Sequence, residues 1–223
     1  MTIAIDGTTP AAVVVASGNA ATASFTAPSG ALLLAVADMG STLADGDVGS
    51  AISDSGGLSW TLVDRQRGAG YDEAVMWWAI TGSATSRTVT ASATTNTLYK
   101  FLQTLVITGA HPSAPIGAKT KGQIASGTLS ASVTSTAVGS LAVGSYADWN
   151  AAAVPTADAN TTRQSGNQGA STGACLYKTA LSGSVGQSLA VGTTAPTAKI
   201  TYVLAEILPA PAASTFVPRI TIF

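Results

Sequence analysis

The chain has 223 residues and a formal net charge of −1; 46% of its residues are hydrophobic but only 9% are charged, against a usual charged share of about 25%. The ten basic residues are scattered from Arg65 to Arg219, so no basic patch matches a phosphate backbone and nucleic acid is excluded as a partner. No apolar stretch reaches the roughly 18 residues of a spanning helix, which argues against a membrane partner.

Taken in chain order, Met1–Gly7 carries no basic region before its acid and glycine, so the sequence predicts cytoplasmic synthesis without a signal peptide. Residues 22–26 alternate as a half-buried strand does. Ala31–Ala37 is continuously apolar, which predicts a central strand covered on both faces. Asp45 and Asp47, flanked by Asp38 and Asp54, could offer oxygen ligands to calcium, but their spacing is not that of an EF-hand, and a solvated turn is the usual and favoured explanation of such an acidic loop. Asp54–Ser59 is glycine-rich yet lacks the lysine and following helix of a phosphate loop. Trp60 begins another apolar strand. Asp72 and Glu73 are adjacent, so on a strand they point to opposite faces and cannot form the facing pair of a glycosidase. The same alternation predicts that Trp60 and one of Trp77 and Trp78 are buried.

Further strand patterns cover residues 87–93, 101–108, 128–134 and 199–207. Glu, Gln, Met and Lys are too sparse for helices to compete. His111 is the single histidine and stands before Pro112 in a turn, so no Ser-His-Asp triad can be assembled, and Cys175 would lack its base. One His and one Cys also fall short of a zinc site. The sequence therefore predicts a non-enzymatic protein without cofactors, with Cys175 as a small core residue.

The second half of the chain repeats the order of the first. Pro28–Asp38 answers to Val138–Asp148, Met76–Gly82 to Leu176–Gly183, and Leu105–Ala110 to Leu204–Ala210. The pseudo-repeats run over about 20–110 and 125–210. Two tandem sandwiches or one interleaved fold would satisfy this pattern. Each half is rich in Ala and Val and poor in large apolar residues, so the single sandwich with interleaved halves and a shared core is preferred. The expected fold is an all-β, jelly-roll-like antiparallel β-sandwich over residues 1–210 with weak internal duplication. Residues 211–223 follow as a C-terminal arm, where Phe216, Val217, Ile220, Ile222 and Phe223 offer an apolar assembly contact.

Ile52–Val63, with its Asp-Ser-Gly-Gly-Leu-Ser-Trp turn, followed by Val75–Ala79 and Thr88–Thr90, resembles a β-sandwich module of tailed-bacteriophage virion proteins. Ala23–Leu33 and Tyr202–Ile207 extend the likeness over most of residues 20–210. The resemblance implies a structural protein of the virion, bound in several copies to the capsid as a decoration or cement protein, with a minor tail protein as the alternative placement. Its implied partners are other virion proteins, major capsid or tail, and copies of itself. Similar turns occur in carbohydrate-binding sandwiches, which leaves a host-surface glycan as a further partner to consider.

Overall fold

The protein is all-β. A computed structural model describes residues 2–41, 49–67, 72–94, 97–150, 153–169 and 171–212, and every ladder between its strands is antiparallel. The first repeat contains β1 (Ala4–Ile5), β2 (Val13–Val15), β3 (Ala20–Ala21), β4 (Phe25–Thr26), β5 (Leu32–Ser41), β6 (Ala51–Asp54), β7 (Thr61–Arg67), β8 (Asp72–Ile80), β9 (Ser86–Arg87), β10 (Val89–Ser92) and β11 (Thr97–Thr108). The second contains β12 (Ile116–Gly127), β13 (Ser130–Thr134), β14 (Leu141–Asp148), β15 (Thr156–Ala157), β16 (Thr161–Gln168), β17 (Thr172–Lys178), β18 (Ser188–Ala195) and β19 (Ala198–Ile207).

The duplication is visible in the strand order. The first repeat builds a large sheet β1-β11-β5-β8-β7, with β2 also on β11, and a small sheet β3-β10-β6. The second builds β12-β19-β14-β17-β16 and β13-β18-β15. Each three-stranded sheet covers the outer face of its own large sheet, and the two large sheets pack back to back, so three apolar layers separate these four sheets; β4 and β9 form a further two-stranded sheet in the first repeat.

β5 explains this layering. Leu33, Ala35, Ala37 and Met39 enter the outer core of the first sandwich, whereas Leu32, Leu34 and Val36 enter the layer between the large sheets. The continuous apolar run is thus a strand buried on both faces, because successive side chains alternate and each face meets a different sheet. The outer core of the first sandwich combines six alanines with Trp77, Phe25, Met39, Leu33 and Leu102. The middle layer carries Phe101, Met76, Leu105 and Ile107 from one repeat against Val143, Cys175, Val203 and Ile207 from the other. Phe101 lies over Gly173, where a Cβ would sit 2.5 Å from the Phe101 Cβ; glycine there permits the close approach of the two sheets.

Two expectations need correction. The repeats do not interleave: among the described residues every named ladder stays within one repeat, and the strand pairing between the halves is an isolated bridge between Ala110 and Pro209. The shared core exists, but as a layer between two complete sandwiches. The alignment of the repeats also shifts by one residue. Gly30 N donates to Thr81 O and Thr81 N to Ala31 O; Gly139 N donates to Ser182 O and Ser182 N to Ser140 O. Gly30 and Gly139, at φ 74° and 82°, are therefore equivalent, both supplying a left-handed turn that other residues resist. Asp38 then corresponds to Ala147 and not to Asp148, and a slip of one residue exchanges the faces of a strand.

The tryptophans divide unevenly. Trp77 is buried in the first outer core, while Trp78 is half-buried against the middle layer. Trp60 is only half-buried at the edge of the outer core, with its indole nitrogen turned to Asp54. An indole needs a partner for its N–H, and that partner holds it at the rim.

Candidate functional site

Of the residues named for calcium, Asp45 and Asp47 lie outside the described residues. Asp54 is fully engaged: Oδ2 accepts from Gly56 N at 2.8 Å and Arg87 Nη1 at 3.1 Å, and Oδ1 accepts from Leu58 N at 2.8 Å and Trp60 Nε1 at 3.2 Å. Four donors fill the acceptor capacity of one carboxylate. Asp54 therefore serves as the knot of the glycine-rich turn and has no lone pair left for a cation. The Asp54 and Arg87 side chains are 0% and 2% exposed, a buried ion pair completed by hydrogen bonds. The arm residues Phe216, Val217, Ile220, Ile222 and Phe223 also lie outside the described residues. His111 closes its own turn, its Nδ1 accepting from Ser113 N at 3.3 Å and Ala114 N at 3.0 Å.

Asp72 and Glu73 part company as alternation requires. Glu73 meets Ser50 and Arg67 within the first repeat. Asp72 crosses to the second, where its Oδ1 accepts from Thr201 Oγ1 at 2.9 Å. Asp38 makes a parallel connection, its Oδ2 accepting from Ser171 Oγ at 3.2 Å. Together they place two carboxyl groups of the first repeat at one end of the middle layer, each held by a hydroxyl of the second.

Both groups are poorly served for charge. Asp38 is 0% and Asp72 2% exposed, and Asp38 Oδ1 and Asp72 Oδ2 have no hydrogen-bond partner. The buried Tyr146 hydroxyl nearby also lacks one. Burial, then the Asp72 carboxylate, pushes the Asp38 carboxyl well above the usual range; Ser171 opposes this, while Asp148 and Glu73 add to it. Burial likewise pushes Asp72 up to about 6, against the hydroxyl of Thr201; Asp148 raises it further and Lys199 lowers it. Burial and the same acids push the phenols of Tyr99 and Tyr146 upward. The sequence did carry a signal for this cluster: Asp38 continues a strand buried on both faces, and Asp72 opens another. Among the described residues no group of three or more His, Cys, Asp or Glu side chains has metal-binding geometry.

At the opposite end, where the repeats exchange their final residues, a groove of about 330 Å³ is lined by Gly30, Ala31, Gly109, Ala110, Pro112 and Ala210. The duplication accounts for it. A Cβ at Gly139 would meet Pro209 at 3.8 Å, whereas one at Gly30 would meet nothing within 4 Å. Pro209 thus covers in the second repeat what Gly109 leaves open in the first. Comparison with protein-family models, with curated proteins and with solved structures found no match.

Proposed function

We propose that this protein is a non-enzymatic structural protein of a tailed-bacteriophage virion, attached in several copies to the capsid surface as a decoration protein. The observation that supports the reading is how the chain leaves its sandwiches: Ala210 lines an apolar groove, and the sequence beyond it is the apolar arm containing Phe216, Val217, Ile220, Ile222 and Phe223. An apolar arm that follows a groove residue in the sequence suits attachment, because an extended segment can add main-chain hydrogen bonds and fill pockets on a neighbour. The rest of the molecule suits a scaffold. Several of its long polar side chains make internal ties: Lys119 Nζ donates to Val63 O at 2.6 Å and Lys121 Nζ to Asp64 Oδ1 at 2.8 Å, which joins edge strands of the two large sheets.

Deleting residues 211–223 should leave the thermal transition of the sandwiches in place and abolish incorporation into particles, as measured by gel quantitation of purified virions. Normal incorporation of the truncated protein would reject the arm as the attachment device. Immunogold labelling of the same particles should decorate the capsid; label confined to the tail would move the protein there.

A further inference from the structure

The carboxyl cluster at the end of the middle layer takes no part in this proposed attachment, yet it lies where the two sandwiches hold together. Asp38 on β5 and Asp72 on β8 are bound by hydroxyls that belong to the other repeat. Each keeps one oxygen buried and without a partner. Ser171 and Thr201 donate to them, and the groups whose charge or hydroxyl bears on them are otherwise polar or acidic: the phenols of Tyr99 and Tyr146, Asp148 at the end of β14, and, across its own strand, Glu73. The cation bearing on Asp72 is Lys199, the last and smallest influence upon it. A neutral carboxylic acid fits such a site at modest cost, since one oxygen accepts from the hydroxyl while the other carries the proton. Two carboxylates do not fit, because like charges in a dry environment repel and each unpartnered oxygen loses its water.

We propose that Asp38 and Asp72 form a proton-operated latch between the two sandwiches, closed while the carboxyls are protonated and opened at this end of the middle layer when they ionise. Opening lets water reach the carboxylates and breaks the hydrogen bonds from Ser171 and Thr201. The far end, packed through Leu32, Leu141, Ile107 and Ile207, holds among the described residues no buried carboxyl with an unpartnered oxygen and stays shut. The sign follows from linkage. Both groups bind protons more tightly in the closed form, so closure is strongest below the ordinary aspartate pKa of about 3.9 and weakens as pH rises through the closed-state values. For Asp72 that loss runs up to about 6, and for Asp38 it continues above.

Amide hydrogen exchange on the full chain, expressed as protection factors and measured in chelator-containing buffer, tests the latch. From about pH 5 to about pH 8, protection should fall by roughly tenfold or more around residues 37–40, 72–74 and 145–148, the tenfold being the share of Asp72 alone. Protection at Leu32, Ile80 and Ile207 should hold. Asp38→Asn and Asp72→Asn should each remove part of the change, and the double variant nearly all of it. The proposal is overturned by a fall that is equal at both ends, or by one that persists in the double variant. It is also overturned if millimolar calcium restores wild-type protection at high pH, which would make the cluster a cation site.

Discussion

The two repeats share a strand order but anchor their loops with different chemistry. In the first, Asp54 gathers the glycine-rich turn and is matched by the buried charge of Arg87. In the second, Glu206 is 0% exposed and is met only by neutral donors, accepting from Thr136 N at 2.7 Å, Thr136 Oγ1 at 2.8 Å and Ala118 N at 3.0 Å. Val106 holds the equivalent place in the first repeat, since Ile107 pairs with Leu32 as Ile207 pairs with Leu141. A common scaffold therefore does not dictate where a buried carboxylate is used. What the two anchors have in common is that every acceptor position faces a donor, and that is the condition a buried charge must meet.

The largest effect should come from separating the repeats. A fragment ending at His111 exposes the inner face of its large sheet, including Phe101, Leu105 and Ile107, so it should be insoluble or lack a cooperative thermal transition. A soluble fragment with a sharp melt would show that each sandwich stands without the middle layer. Within the intact chain, Arg87→Met should cost about 3–5 kcal/mol in urea unfolding, because it strips the buried Asp54 of its countercharge. A loss below about 1 kcal/mol would mean that the neutral donors to Asp54 suffice, as they do for Glu206.

Glu206→Gln should cost less, about 1.5–3 kcal/mol, by turning an amide donor toward groups that already donate. Its pH signature should also be opposite to that of Asp38 and Asp72. Burial alone would raise the Glu206 carboxyl, but the Ala118, Ser140 and Thr136 donors outweigh it and hold the group below the usual range. Its contribution is thus present above the unfolded glutamate pKa of about 4.3 and is lost as pH falls through the lower folded value. Acid unfolding followed by circular dichroism should lose part of its pH dependence in the Gln variant. An unchanged acid profile would remove Glu206 from the account.

Much of this architecture was legible as sequence. The run Ala31–Ala37 announced a strand covered on both faces, and the ordered matches between the halves announced the duplication. The pairing of the repeats was not legible, because an apolar face reports that something covers it without saying which sheet does. The expectation of interleaving followed from the scarcity of large side chains in each half. The middle layer resolves that scarcity by letting Phe101 and Met76 serve both sandwiches, while alanines fill in around Trp77 and Phe25 in the first outer core. Trp60 shows a similar limit, since its strand reads as core but its N–H draws it to Asp54 at the rim.

The sequence by itself determined the strands, their alternation and the twofold repetition, because side-chain period and turn residues act over a few positions. Only the tertiary structure decided that two complete sandwiches lie back to back, that the repeats align one residue away from their best sequence match, and that Asp38 and Asp72 meet Ser171 and Thr201. These depend on groups more than a hundred residues apart, and a strand's local pattern carries no information about which distant surface will exclude water from its face.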